Sequence, residues 1–267
     1  MNYGFIGLGN MASAIITGMI DNGGVSGAQI YGYDINSATG NRLRQSANIH
    51  VVTDLEAMIP SVQVLVLAVK PQVLPRLLPQ ISAMLPQDLL VISIAAGKNI
   101  AFLEQHLGDE MPIVRVMPNI NARVLTATCC YSVNSRVLPI HKQIVEEMFC
   151  SIGVISELAE NLFSVFTAIC GSAPAFTYLY IDALAKAAVA AGMPRAQALA
   201  LAAHGVYGSA KMVMESELHP GELVDQVCSP GGTTIEGVLA LERAGFASGI
   251  HQAVAAVIAK DKKLAEK

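Results

Sequence analysis

Tyr3–Ile15 reads YGFIGLGNMASAI. A short apolar run ends in Gly7-Leu8-Gly9-Asn10-Met11-Ala12, and a helix-like pattern follows. The spacing is G-x-G-x-x-A. Gly7 permits a tight turn, Gly9 lets the backbone approach a pyrophosphate, and Ala12 lets helix and strand pack closely. Phosphates would sit on the helix N-terminus, where free N–H groups and the helix dipole point outward. A lone G-x-G is a weak signal. Here a strand precedes it, a helix follows, and a second apolar run, QIYGYD (29–34), ends in an acid. That context makes it a dinucleotide cradle.

Asp34 has two readings. An acid at the end of the second strand bonds the ribose 2′-hydroxyl of NAD and repels the extra phosphate of NADP. Alternatively, Asp34 only caps the helix that starts near Asn36-Ser37. Arg42 and Arg44, a turn or two into that helix, could serve a phosphate or simply be solvated.

Further runs follow: VQVLVLAV (62–69), LLVISIA (89–95) and IVRVMP (113–118), with helical patterns over Asn10–Asp21 and Val73–Met84. Near-continuous apolar strands separated by helices predict a parallel sheet covered on both faces. TATCCYSV (126–133) and GVISELA (153–159) extend that sheet. After about residue 160 the texture turns alanine-rich, with Gly192-Met193-Pro194 as a stop and restart between two helices. The expected organisation is an α/β chain: a Rossmann-type doubly wound domain over 1–160, then an all-α domain over 161–267. Its helices are apolar over more than one face and so need burial. A second copy interdigitating with this half would supply the cover.

The chain has 267 residues, is 53% hydrophobic and 14% charged, and has a formal net charge of -4. No basic block stands out, so a nucleic-acid partner is not expected. The lysines near the end (Lys260, Lys262, Lys263, Lys267) read as a solvated helix end. Asn161–Ile181 lacks charge and is long enough for a membrane span. Gly171, Ser172 and Pro174 interrupt it, and the expectation is a buried, broken helix with no membrane partner. No secretory pattern opens the chain. Five cysteines, an odd number, fit free thiols in a reducing, cytoplasmic compartment. The histidines are scattered, so no metal site is expected.

Three strand ends carry small or polar turn residues: Ala68-Val69-Lys70-Pro71, then Ala96 in SIAAG, then Asn119 in MPN. That suits a nicotinamide lying across them. Pro71 could equally be a plain helix-starting proline. In the helical half, CSPGGTTIEG (228–237) stands out. Thr233-Thr234-Ile235-Glu236 has the form of a capping box opening a helix. Gly231 and Gly232 expose backbone N–H groups, which with the hydroxyls of Ser229 and Thr234 make a seat for a small carboxylate. CGSAPAF (170–176) is a second interruption. Pro174 kinks its helix and leaves a carbonyl unpaired, either as a pocket wall or for packing alone.

The blocks FIGLGNM, AVKPQ, ISIAAG, RVMPN, GSAPAF, GMPRAQA, GSAKM and HPGELVDQVCSPGGTTIEGVLALE occur in this order and span nearly the whole chain. Together they resemble the pyrroline-5-carboxylate reductase family; the last block is the specific one. The resemblance implies reduction of the cyclic imine 1-pyrroline-5-carboxylate to L-proline, the last step of proline biosynthesis, with NADPH or NADH. It implies a Rossmann domain and a helical domain that interlocks into homodimers, often five to a decamer. By position it places Ser229, Gly231, Gly232, Thr233 and Thr234 around the substrate, with Thr234 near the imine nitrogen as the catalytic contact. It sets Glu160 and Glu217 near the substrate pocket. Gly7, Gly9, Asn10, Met11, Asp34, Ala68, Val69, Lys70, Pro71, Ala96 and Asn119 fall on the coenzyme side. Ile120-Asn121, where relatives read Thr-Pro, and Ala173, where Gly or Ser is usual, depart from the pattern near the nicotinamide.

Two rivals fare worse. A β-hydroxyacid dehydrogenase needs a lysine with an asparagine four residues on in the first long helix, and Lys186 is followed at that spacing by Ala190. A non-catalytic scaffold of the same fold has little use for an anion seat.

Overall fold

The computed structural model describes residues 1–265; Glu266 and Lys267, the latter among the terminal lysines, lie outside the described residues. Two compact units divide the chain: Met1–Gly171 together with the chain from Val257 on, and Ser172–Ala256.

The first unit begins with β1 (Tyr3–Ile6), α1 (Asn10–Asp21), β2 (Ile30–Tyr33), α2 (Ser37–Ala47), β3 (His50–Val51) and α3 (Leu55–Met58). It continues through β4 (Val64–Leu67), α4 (Leu74–Ile81), β5 (Leu90–Ser93), α5 (Ile100–Leu107) and β6 (Ile113–Met117). Then come β7 (Ala127–Val133), α6 (Pro139–Cys150) and β8 (Gly153–Glu157). The eight strands form one sheet in the order β3-β2-β1-β4-β5-β6-β7-β8. Every pairing is parallel except β6 with β7. The two late runs extend the sheet as the sequence predicts.

β1, β4 and β5 are buried along their whole length. Separate apolar clusters explain this: Phe5, Val64, Val66 and Ile92 join one, while Ile6, Leu65, Leu67 and Val91 join the other. Successive residues of a strand point to opposite faces, so both faces of the sheet are covered. Strand order reverses between β1 and β4, and the crevice beyond their carboxyl ends is where such sheets bind ligands. The ends there are knit by main-chain bonds, Gly7 N–H to Tyr33 O at 2.8 Å and Ala68 N–H to Ile6 O at 2.8 Å.

The chain leaves β8 through α7 (Phe163–Phe166), a π-helical turn (Thr167–Ser172) and α8 (Ala173–Ala190). Glu160–Ala190 is continuous and, by length and composition, apolar enough to cross a membrane. In the second unit, α8 is followed by α9 (Arg195–Glu215), α10 (Pro220–Val227) and α11 (Thr233–Arg243); α12 (Phe246–Ala265) begins there and its part from Val257 on belongs to the first unit. The helix over 161–181 is interrupted as expected and is buried at Phe163, Phe166 and Ala168, but its α8 part is not covered within one chain. Along α8 only Ala185 is buried, along α9 only Ala198, and Leu179, Tyr207 and Met214 are exposed. The side chains are apolar as the sequence shows, yet the chain itself does not cover them. An apolar surface of this extent marks an association face.

Candidate active site

The turn from β1 into α1 is built as the G-x-G pattern predicts. Gly7 sits at φ +95°, and a Cβ there would meet the Ala68 carbonyl oxygen at 2.8 Å and the Val69 nitrogen at 3.0 Å. Both are backbone atoms and cannot swing aside. Gly9 is the N-cap of α1, its backbone is extended, and no side chain caps the helix. A Cβ at Gly9 would meet nothing within 4 Å. The first N–H groups of α1, at Asn10 and Met11, therefore face open space, which fits a pyrophosphate. Gly7→Ala is expected to cost ~2–4 kcal/mol, from the forced backbone conformation and the clash together. Thermal unfolding followed by circular dichroism checks it; an unchanged midpoint would show that the turn relaxes freely.

Both Asp34 carboxylate oxygens are engaged by backbone N–H groups, and Asp34 does not cap α2. Oδ2 accepts from Leu8 N–H at 2.7 Å, and Oδ1 accepts from Asn36 N–H at 2.8 Å. The cap of α2 belongs to Asn36, whose Oδ1 accepts from Ala38 N–H at 3.1 Å. Asp34 thus forms the turn and also braces the glycine loop, so its charge stands at the rim of the cradle. Arg44 is tied to the Val51 carbonyl oxygen at 2.9 Å.

A cleft of about 470 Å³ opens here, lined by Gly7, Gly9, Asp34, Ala68, Val69 and Lys70 among others. It also takes in Val73, Arg76, Leu77 and Gln80, which the sequence reading missed. Their spacing was a usable signal: positions i, i+3, i+4 and i+7 share one face of a helix. Lys70 and Arg76 bring positive charge to the cleft that Asp34 also lines, a donor set suited to a phosphate-bearing ligand. Pro71 starts a short 3₁₀ turn after Lys70. Ala96 is exposed on the loop after β5.

Asn119, after β6, is 5% exposed. Its Nδ2 donates to the Cys170 carbonyl at 3.0 Å and its Oδ1 accepts from Thr128 N–H at 3.2 Å. Glu160 Oε1 accepts from Arg115 Nη1 at 2.9 Å and from Ile100 N–H at 2.8 Å. Arg115 also lies over the Phe163 ring at 4.3 Å. The side chains of both Asn119 and Glu160 are thus engaged inside the first unit.

In the second unit, Gly232 N–H bonds the Ser229 carbonyl at 3.0 Å, turning the chain into α11. Gly231 takes φ +65°, and a Cβ on Gly232 would lie 2.3 Å from Ser229 Oγ. The capping-box expectation is overturned. Gly232 is the N-cap, Thr233 already belongs to the helix, and no side chain caps it. The sequence pattern could not separate N-cap from first helical residue once glycine took the extended backbone. The Gly232 N–H, expected to be exposed, is instead spent on Ser229, and the first N–H groups of α11 have no side-chain cap. Thr233 and Thr234 are exposed beside them, as is Glu217 on the segment before α10.

Among the described residues no three His, Cys, Asp or Glu side chains cluster as a metal site. The five cysteines are free thiols, and burial pushes Cys129 and Cys130 up to about 12.

Known proteins place this arrangement. Residues 160–264 match the family described as pyrroline-5-carboxylate reductase dimerisation, and residues 2–97 match one described as NADP oxidoreductase coenzyme F420-dependent. The pyrroline-5-carboxylate reductase of Escherichia coli (strain K12) is 39% identical over 98% of both chains. Among solved structures, the pyrroline-5-carboxylate reductase of Coxiella burnetii superposes with a TM-score of 0.93 at 30% identity, covering 98% of each chain. The pyrroline carboxylate reductase of Plasmodium falciparum, solved with NADP bound, gives 0.89 at 32% identity, covering 99% of this chain and 98% of that one. Identity at this level, over both units and with no large segment unmatched, goes beyond a shared fold: the chain belongs to the pyrroline-5-carboxylate reductase family.

Proposed function

We propose that this chain reduces 1-pyrroline-5-carboxylate to L-proline with NADPH or NADH. The observation that carries the reading is the uncapped start of α11: the Gly232 N–H is spent on the Ser229 carbonyl, but no side chain caps the helix, so the N–H groups at its first residues, Thr233 and Thr234, are left for a small carboxylate. Bound NAD(P)H supplies the hydride. On the coenzyme side, the α1 N–H groups at Asn10 and Met11 take the pyrophosphate. Gly7 and Gly9 keep the way to them open, and Ala68, Val69, Lys70 and Pro71 line the approach. Ala96 and Asn119 mark the strand ends where the nicotinamide belongs.

On the substrate side, Ser229, Gly231, Gly232 and Thr233 hold the carboxylate. The Thr234 hydroxyl bonds at the imine nitrogen and Glu217 adds negative charge to that side, while the Glu160 charge is balanced by Arg115 and its substrate role is carried over by position alone. A protonated imine is already electrophilic at carbon. The hydride goes to that carbon while the nitrogen keeps its proton, so the enzyme needs little acid–base machinery. Positioning and exclusion of water supply most of the rate. This accounts for a site in which no His or Lys serves as general acid.

The proposed assembly is a homodimer through residues 161–267, with residues 1–160 carrying the coenzyme, and five dimers to a decamer. The large exposed apolar face of α8 and α9 supports pairing. Free thiols support a cytoplasmic, reducing location.

The test is oxidation of NADH and of NADPH, measured separately, with 1-pyrroline-5-carboxylate as substrate and proline as the assayed product. Loss of neither absorbance in a folded protein would reject the reading. Asp34→Asn, assayed beside it, is expected to raise the NADPH-to-NADH ratio of kcat/KM about tenfold, since one negative charge leaves the 2′ rim. Asparagine keeps one acceptor for the glycine loop. An unchanged ratio would confine Asp34 to bracing that loop.

A further inference from the structure

Pro174 stands at the opening of α8. It has no N–H, so the Cys170 carbonyl loses its regular helical donor four residues on. The chain bulges at this point into the π-helical turn Thr167–Ser172. Side-chain crowding does not force the bulge at Gly171. A Cβ there would make only ordinary contacts, 3.7 Å to Thr167 Cγ2 and 3.9 Å to Met117 Cε. A polar bond serves the orphaned carbonyl instead: Asn119 Nδ2 reaches Cys170 O at 3.0 Å, across 51 residues of sequence. The same amide accepts from Thr128 N–H at 3.2 Å, at the start of β7.

Asn119 is buried, and each end of its amide makes one bond inside the first unit. One N–H and one lone pair remain, but at 5% exposure the side chain is turned into the first unit rather than toward a coenzyme. Yet its backbone leaves β6, one of the strand ends where the nicotinamide belongs. We propose that Asn119 is a positioning residue for hydride transfer: its amide clamps the end of β6 and the start of β7 to the π-turn, and so fixes the backbone at Pro118–Asn119. This rests on the reductase reading. Buried polar groups left without partners are costly, which gives the clamp its selectivity for one backbone arrangement. π-turns inside helices are frequent at functional sites, and here the polar tie shows how one is held.

Asn119→Asp keeps the acceptor for Thr128 N–H but turns an oxygen toward the Cys170 carbonyl. It is expected to lower kcat roughly 10- to 100-fold, the range for a small misplacement of reacting atoms. The Kd for NADPH, read by coenzyme fluorescence, and the KM for 1-pyrroline-5-carboxylate should move less than about threefold. The isotope effect on kcat with 4-deuterated NADPH should rise, because hydride transfer becomes the slow step. Amide exchange over 167–173 in the free enzyme should quicken. Asn119→Ser, which is smaller and keeps a hydroxyl donor, carries the test if the aspartate variant does not fold. Adding Pro174→Ala returns an N–H to the Cys170 carbonyl and should restore part of kcat and of the slow exchange.

Unchanged kcat overturns the proposal, as does a Kd for NADPH weakened in proportion to kcat, which would make Asn119 a coenzyme contact. No rescue by Pro174→Ala would also overturn it. Absence of turnover in the unsubstituted enzyme rejects the reductase reading, and the proposal falls with it; normal turnover there with any of the other results rejects the proposal alone.

Discussion

Thr234→Ala is expected to lower kcat/KM for 1-pyrroline-5-carboxylate by ~10²-fold or more, with the Kd for NADPH within about twofold of the unsubstituted enzyme. Thr234 is the second residue of α11 and is exposed. Removing its hydroxyl opens no cavity and leaves no buried partner, so the fold should lose less than about 0.5 kcal/mol. A fall in turnover then reports on chemistry. The magnitude follows from the kind of reaction. In the proposed site no acid or base is lost with Thr234, and a hydrogen bond that orients the imine would work at the moment the carbon changes geometry. Removing one such preorganised group costs about 2.7–4 kcal/mol in comparable sites. Thr234→Ser keeps the hydroxyl and should stay within about tenfold of the starting enzyme. Steady-state kinetics with a coenzyme titration beside them settles the assignment; unchanged turnover in Thr234→Ala would remove Thr234 from the reaction.

The order of β1, the glycine turn, α1 and β2 is legible in the sequence because each step has a local cause. Buried parallel strands read as unbroken apolar runs, and the glycines fall where backbone geometry demands them. β3 is not legible: two residues at a sheet edge, His50 and Val51, carry no periodicity. Pro174 announced an orphaned carbonyl, yet nothing local could name Asn119 as its donor. The pair of Arg115 and Glu160 is 45 residues apart, and such distances erase any spacing rule. The cover of α8 is only half legible for a related reason. The sequence shows that apolar faces need cover but not which chain supplies it. The proposed substrate seat lies between these extremes. Its glycines and hydroxyls are visible as a composition anomaly, while the helix register that frees its N–H groups depends on Gly232 taking the cap.

The second large effect belongs to Arg115. It sits on β6 at 8% exposure, bonded through Nη1 to Glu160 Oε1 at 2.9 Å, with its guanidinium over Phe163. The same carboxylate oxygen takes the first N–H of α5, at Ile100. One ion pair therefore ties β6, the start of α5 and the segment before α7. Arg115→Met keeps most of the stem volume but strips Glu160 of its counter-charge. Breaking a buried pair from one side costs about 3–5 kcal/mol. Glu160 is partly exposed, which points to the lower end, about 3 kcal/mol, or a fall of roughly 6–12 °C in the unfolding midpoint. Replacing both partners, Arg115→Met with Glu160→Met, should recover much of that loss, because the cost comes from a stranded charge rather than from a lost attraction. Thermal or urea unfolding followed by circular dichroism separates the cases. A single variant costing less than about 1 kcal/mol would show that water reaches Glu160 freely, as at an exposed surface pair. A double variant no better than the single would show that the bond to Ile100, not the charge balance, holds α5 in place. In that event Glu160 is structural first, and its part on the substrate side has to be sought in KM after Glu160→Gln, which keeps the oxygen and removes only the charge.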